Sequence, residues 1–293
     1  MSTVYKTAAD FRRDLESQLK KISSATNDDV QRLRRKVTFD RLLARIFSQE
    51  ESTFFLKGGY AMELRLSTAR ATKDIDLTCL ERVKGKEELI SLIILEELRE
   101  LASKNLNDFF VYQIGEPQLD IENAPYGGAR YPVSSFIDGK IFVRFVLDVG
   151  ADAIVARTEA FQGTDWLSFC GIACPVFTMV SIEQQYAEKL HAYTLPRHGI
   201  NTRTKDLIDM VLLARIKTFD ITILKEALRL VFKVRNTHPL PQQVNPPPIK
   251  WKKPFEKLAR ECLLPLILED AFIETANIYQ QVQHKILQTD HQV

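Results

Sequence analysis

Three aspartates and a pair of glycines carry most of the chemistry legible in this sequence. Gly58 and Gly59 stand between a short apolar run, Ser52–Leu56, and a helical pattern over Tyr60–Leu66. Glycines there let a backbone approach a ligand closely, and a helix N-terminus favours a phosphate, although an ordinary tight turn uses the same residues. Asp74-Ile75-Asp76-Leu77 alternates with the period of a strand, so both carboxylates share one face while Ile75 and Leu77 share the other. Side by side they repel unless a cation separates them, and hard oxygen ligands suit Mg²⁺ (or Mn²⁺). A solvated strand edge is the alternative. Asp148 adds a third carboxylate. Along Ile141–Val149, the positions Ile141, Val143, Phe145, Leu147 and Val149 form one apolar face, and Asp148 lies on the other with Phe142, Arg144 and Val146. An unpaired charge in so apolar a strand is costly. If this strand neighbours Asp74–Asp76, three carboxylates converge, as they do where two metal ions assist phosphoryl or nucleotidyl transfer.

The elements that must position these groups follow from periodicity. Helices are predicted over Thr7–Lys21, Asp28–Gln49 and Glu87–Leu101, the second with Val30, Leu33, Val37, Leu42 and Ile46 in one stripe. Asp74–Cys79 reads as a strand, and Ala129–Ile137 and Lys140–Val149 flank Asp138-Gly139, a strong two-residue hairpin signal. After Pro175 the pattern becomes helical: Ser181–Thr194, Arg203–Ile216, Asp220–Arg235, Phe255–Cys262 and Asp270–Leu287, with a proline-rich loop over Pro239–Pro254. The fold class expected is α+β: a small mixed sheet with flanking helices in residues 1–175, then an all-helical C-terminal half in residues 176–293.

Composition limits the setting. Of the 293 residues, 45% are apolar and 27% charged, the balance of a soluble globular chain. The first residues alternate charge with apolar side chains instead of forming a leader, and no window approaches the ~18–20 apolar residues of a membrane span; a cytoplasmic protein without membrane contact is expected. Four scattered cysteines (Cys79, Cys170, Cys174, Cys262) make neither a disulfide framework nor a zinc pattern. Charge is uneven: residues 215–260 hold 11 Lys/Arg against 3 Asp/Glu, a local +8 in a chain of net +2. A basic segment on an acidic body suits a polyanion, or is simply a solvated face. Phe232, Trp251 and Phe255 lie among these cations, so the segment is expected to hold RNA phosphates and stack on unpaired bases.

The wording of the motifs is narrower than the chemistry. Lys57-Gly58-Gly59-Tyr60-Ala61, then Arg70-Ala71-Thr72-Lys73-Asp74-Ile75-Asp76-Leu77, resembles the AbiEii/AbiGii (MenT-like) toxin family within the nucleotidyltransferase fold related to DNA polymerase β. The resemblance continues through Ser181-Ile182-Glu183-Gln184 and Ala187-Glu188-Lys189-Leu190-His191-Ala192 to Lys205-Asp206-Leu207-Ile208-Asp209, covering roughly residues 54–215. It implies that Asp74, Asp76 and Asp148 bind metals, with Asp148 also a candidate base. By the same resemblance Gly58 and Gly59 cradle the triphosphate of an NTP and Lys189 contacts its phosphates. Arg70 and Thr72 then lie beside the metal site, and Asp206 and Asp209 face the cleft. Gly59 departs from the Gly-Ser of many nucleotidyltransferases, so no hydroxyl meets the phosphate there. The function implied is a toxin that transfers a nucleoside monophosphate to a macromolecule, the tRNA 3′ end foremost, and is matched by a cognate antitoxin. Modification of a protein hydroxyl, a kinase, and a catalytically silent nucleotide-binding module are the alternatives.

Overall fold

A computed structural model describes residues 5–49, 52–79, 87–118, 128–150, 155–197 and 203–290. Seven strands form one mixed sheet: β1 (Phe54–Lys57), β2 (Asp74–Cys79), β3 (Val111–Ile114), β4 (Gly128–Ile137), β5 (Lys140–Gly150), β6 (Thr158–Gln162) and β7 (Val176–Val180). Their order is β3-β4-β5-β2-β1-β7-β6. β2 runs parallel to β5 and β1 parallel to β7, whereas β1–β2, β3–β4 and β4–β5 are antiparallel. Nine α-helices accompany the sheet among the described residues: α1 (Ala8–Thr26), α2 (Val30–Ile46), α3 (Gly58–Arg65), α4 (Glu87–Ala102), α5 (Ile182–Thr194), α6 (Thr204–Ile216), α7 (Ile221–Arg235), α8 (Lys252–Glu261) and α9 (Leu268–Asp290). The α+β class read from the sequence is the class observed. Three short strands, β3, β6 and β7, were not expected. None of the described helices is long and apolar enough to cross a membrane.

The chain divides into two compact units. One contains Met1–Tyr60, Ala71–Ala153 and Glu159–Met179; the other contains Ala61–Arg70, Ile154–Thr158 and Val180–Val293. The passage after Tyr60 therefore falls inside α3. In the first unit, Ile75, Leu77, Leu147 and Val149 are fully buried on one sheet face, and Phe39 of α2 packs on Phe145 of β5 with ring centroids 4.8 Å apart. In the second, α5, α6, α7, α8 and α9 close around Tyr186, Leu190, Ile208, Leu228, Phe255 and Tyr279.

Helix caps explain several boundaries. Thr7, Asp29, Ser181 and Asp220 each accept a hydrogen bond from the first turn of the helix they precede. The proline-rich stretch ends sooner than expected, because a 3₁₀ turn at Ile249–Trp251 leads directly into α8. Pro254 lies in the first turn of α8, where its missing N–H costs nothing.

In the hairpin, Asp138 and Gly139 both take positive φ, 57° and 65°, as a two-residue turn of this hand requires. Ile137 pairs with Lys140 and Phe136 with Ile141, but after a bulge Ser135 pairs with Val143. The bulge corrects one expectation: Ile141 leaves the apolar face and is 41% exposed, because the extra residue reverses the alternation on that side of it.

Two buried polar assemblies hold the first unit. Asp108, with no exposure, takes Arg41 Nε at 2.6 Å and Arg45 Nη2 at 2.6 Å, while Arg45 also donates to the carbonyl of Phe110. Burial alone would raise the Asp108 carboxyl, but the hydrogen bonds and charge of Arg45, then of Arg41, hold it below the usual carboxylate range. In the second assembly, Asp40 of α2 accepts from Tyr60 Oη at 2.5 Å, Trp166 Nε1 at 2.8 Å and the Thr164 amide at 3.1 Å. This pins α3 by the residue that follows Gly59. Burial pushes the Asp40 carboxyl up to about 6 despite these donors and nearby Lys36.

Two stability predictions follow from these assemblies. Asp108→Ala strands two buried guanidinium groups and should cost about 3–5 kcal/mol in urea unfolding; a loss under about 1 kcal/mol would mean the triad is not structural. For Asp40, the raised folded value means that stability from its neutral form is present below about 4 and lost as pH rises to about 6. The stability of wild type relative to Asp40→Asn should therefore fall by about 2–3 kcal/mol across that window. A flat difference would show that Asp40 is not strained by burial.

Candidate active site

The sheet register builds the site. Asp76 of β2 stands directly opposite Asp148 of β5, and Asp74 lies two residues along, opposite Val146. Directly paired residues share a face, so the three aspartates converge on the side of the sheet opposite Ile75 and Leu147. The row extends further. Lys57 of β1 is paired with Asp76, and Arg130 of β4 with Asp148. Four neighbouring strands thus present cation, carboxylate, carboxylate and cation in register.

Each carboxylate has a defined neighbour. Arg130 grips Asp148 with both arms of its guanidinium, Nε to Oδ1 at 2.9 Å and Nη2 to Oδ2 at 2.8 Å. Asp148 first, then Asp74 and Asp76, stabilise the charged form of Arg130. Thr72 donates its hydroxyl to Asp74. Asp76 Oδ2 accepts from the Gly59 amide at 3.2 Å and so sits at the N-terminus of α3, where negative charge is favoured. Gly58 is at φ +66°, and a Cβ there would fall 2.0 Å from Asp76 Oδ2. Only glycine combines that backbone with that closeness to the carboxylate. Among the described residues, no three His, Cys, Asp or Glu side chains are placed to share a metal ion as they stand. The donor chemistry fits a hard divalent cation, but Asp148 is already engaged by Arg130.

A second charged cluster lies within the helical unit. Lys189 Nζ of α5 reaches Asp206 Oδ1 at 3.1 Å and Asp209 Oδ2 at 2.8 Å, both on α6. Arg70 clasps Asp209 with Nε at 3.1 Å and Nη2 at 3.0 Å. Asp209 is 1% exposed; burial would raise its carboxyl, and Lys189 and Arg70 outweigh that and hold it low. Burial would likewise lower Lys189, but Asp209 and then Asp206 keep it protonated. Lys189 is therefore held by two carboxylates and is not a loose surface lysine.

Two sequence readings change. Phe232, Trp251 and Phe255 are 5%, 2% and 0% exposed. They are core residues of the helical unit and cannot stack on bases, because α7, the 3₁₀ turn and α8 turn these aromatics inward, while the cations of α8 stay outward. Lys250, Lys252, Lys253, Lys257 and Arg260 are exposed. Arg130 was missed: its strand was predicted, but its place opposite Asp148 depends on the hairpin bulge, which no local signal marks.

Comparison with known proteins identifies the family. The family model described as "Nucleotidyl transferase AbiEii toxin, Type IV TA system" matches residues 41–271. Among solved structures, MenT4, a nucleotidyltransferase toxin from Mycobacterium tuberculosis, is 15% identical with a TM-score of 0.55, over 92% of this chain and 97% of that one. At this identity the likeness speaks for the fold alone. JHP933 from Helicobacter pylori is also 15% identical, over 89% of this chain and 96% of that one, with a TM-score of 0.44 that is too low to bear on the fold. A search of curated proteins found no match. With the family model spanning well over half of its length, the chain belongs to the AbiEii nucleotidyltransferases, the toxins of type IV toxin–antitoxin systems.

Proposed function

We propose that this enzyme transfers a nucleoside monophosphate from an NTP to the 3′ end of tRNA, assisted by Mg²⁺ or Mn²⁺ held by Asp74, Asp76 and Asp148. The observation that carries the reading is the register that sets Asp76 against Asp148 with Asp74 on the same face. Such ions, when bound, offset the charge that develops on the reacting phosphate. The chain's own groups do the rest. Gly58 leaves room for Asp76 beside the turn, and the Gly59 amide, now on Asp76, offers a donor to a phosphate oxygen. Thr72 orients Asp74. Within the helical unit, Asp206 and Asp209 keep Lys189 charged and Arg70 holds Asp209; the family resemblance alone assigns Lys189 to the phosphates. The acceptor hydroxyl attacks the α-phosphorus; its O–P bond forms as the bond to pyrophosphate breaks, and Asp148 takes the hydroxyl proton.

The exposed cations of residues 250–260 support an RNA acceptor through its phosphates, without the aromatic stacking expected from sequence. Family membership implies a cognate antitoxin, and the tRNA reading calls for a cytoplasmic protein.

Purified protein incubated with Mg²⁺, total tRNA and each α-³²P-labelled NTP should label tRNA, and Asp76→Asn, which keeps an acceptor for the Gly59 amide, should reduce labelling at least ~100-fold. Label on protein instead would sink the tRNA reading, and transfer of a γ-phosphate label would make the enzyme a kinase. Separately, Lys252→Ala/Lys253→Ala/Lys257→Ala should reduce the salt slope of tRNA affinity by about 2–3, at ~0.7–0.9 per lost phosphate contact. An unchanged slope would remove this face from the RNA interface.

A further inference from the structure

We propose that Arg130 is a removable counter-cation, which withholds Asp148 from divalent cations until a polyphosphate offers its guanidinium another partner. The inference rests on the reading of Asp74, Asp76 and Asp148 as the metal site and adds what controls access to it.

The backbone of Arg130 is fixed on both sides. β5 pairs with it on one edge, and on the other it exchanges amide and carbonyl hydrogen bonds with Gln118 at 3.0 and 2.8 Å. Any movement is therefore in the side chain. That side chain is 48% exposed, whereas the Asp148 carboxylate it holds is 15% exposed. A cation serving only as a buried strut would share the burial of its partner, because a charge pair is strengthened by exclusion of water. Here the acid belongs to the sheet face and the guanidinium approaches from solvent, so release requires only rotation about side-chain bonds.

The fork contacts both oxygens of Asp148. While it does so, a divalent cation and Arg130 compete for the same lone pairs. An arginine fork fits phosphate as well as it fits carboxylate. A triphosphate arriving beside Gly59 presents that alternative, and transfer of Arg130 to it frees Asp148. Metal occupancy and nucleotide binding are then coupled through one side chain. Metal without nucleotide finds one of its three acids occupied, which restrains idle chemistry on the free enzyme.

The test titrates the full-length protein with Mn²⁺ alone, followed by electron paramagnetic resonance, and with inorganic tripolyphosphate in EDTA, followed by calorimetry. Arg130→Gln should bind Mn²⁺ roughly three- to tenfold more tightly than wild type, the scale of a half-exposed bidentate pair, and tripolyphosphate more weakly. Arg130→Lys separates release from a general field effect, since it keeps the charge and loses the fork. Release predicts most of the tightening in the lysine variant, whereas a field effect predicts wild-type affinity and would overturn the proposal. Unchanged or weaker Mn²⁺ binding in both variants would also overturn it, and unchanged tripolyphosphate binding would overturn the exchange. If Asp76→Asn binds Mn²⁺ as wild type does, the metal reading itself fails. If Asp76→Asn loses Mn²⁺ while the Arg130 variants match wild type, only the counter-cation fails.

Discussion

Asp76 and Asp148 stand opposite each other on adjacent parallel strands, and much of the first unit depends on making that juxtaposition tolerable. Strand spacing of about 4.8 Å brings the two charges close enough to repel by about 3 kcal/mol at an effective dielectric near 20. The sheet answers with Lys57 and Arg130 at the two ends of the same row, and with the N-terminus of α3 beside Asp76. Each answer carries its own structural demand. The α3 terminus reaches Asp76 only because position 58 has no Cβ, and it stays there because Tyr60 is tied to Asp40.

A different solution governs the helical unit. There Asp209 is more deeply buried than Asp148, and it is offset by two cations at once, Lys189 and Arg70, where Asp148 has the half-exposed Arg130. Asp206 shares Lys189 and is approached by Arg203 at 3.8 Å. Removing one member of such a cluster would leave another charge uncompensated in an apolar surrounding, so the members behave as one group. Its residues come from α5, α6 and the short segment that ends at Arg70, which ties a piece of chain from between β1 and β2 into the helical unit.

Much of this was legible locally. The strand read over Asp74–Cys79 has the limits of β2, although Thr78 is buried with its neighbours; the Asp138-Gly139 hairpin is where expected, and the helices of the C-terminal half differ from their predicted limits by a few residues. The grouping of Asp74, Asp76 and Asp148 on one face could be anticipated because each strand had a distinct apolar side. The edge strands escaped notice for the converse reason: β6 is exposed or half-buried throughout, and β3 buries only Ile114. The aromatics near the basic segment were misread because composition cannot tell which side of a helix faces the core.

What the sequence by itself determined was the chemistry available: two glycines before a helix, acids with the period of a strand, and a lysine and two aspartates at helical spacing. What only the tertiary structure decided was the partner each acid meets. The hairpin illustrates the reason. A two-residue turn pairs Ile137 with Lys140, and continued without interruption it would set Arg130 opposite Leu147, matching a polar face with an apolar one. Burying Tyr131 and Val133 on the same side as Leu147 and Val149 demands a shift of one residue, and the bulge after Phe136 supplies it. That shift places Arg130 on Asp148. It arises from agreement between two strands over a common core, a condition that neither strand contains alone.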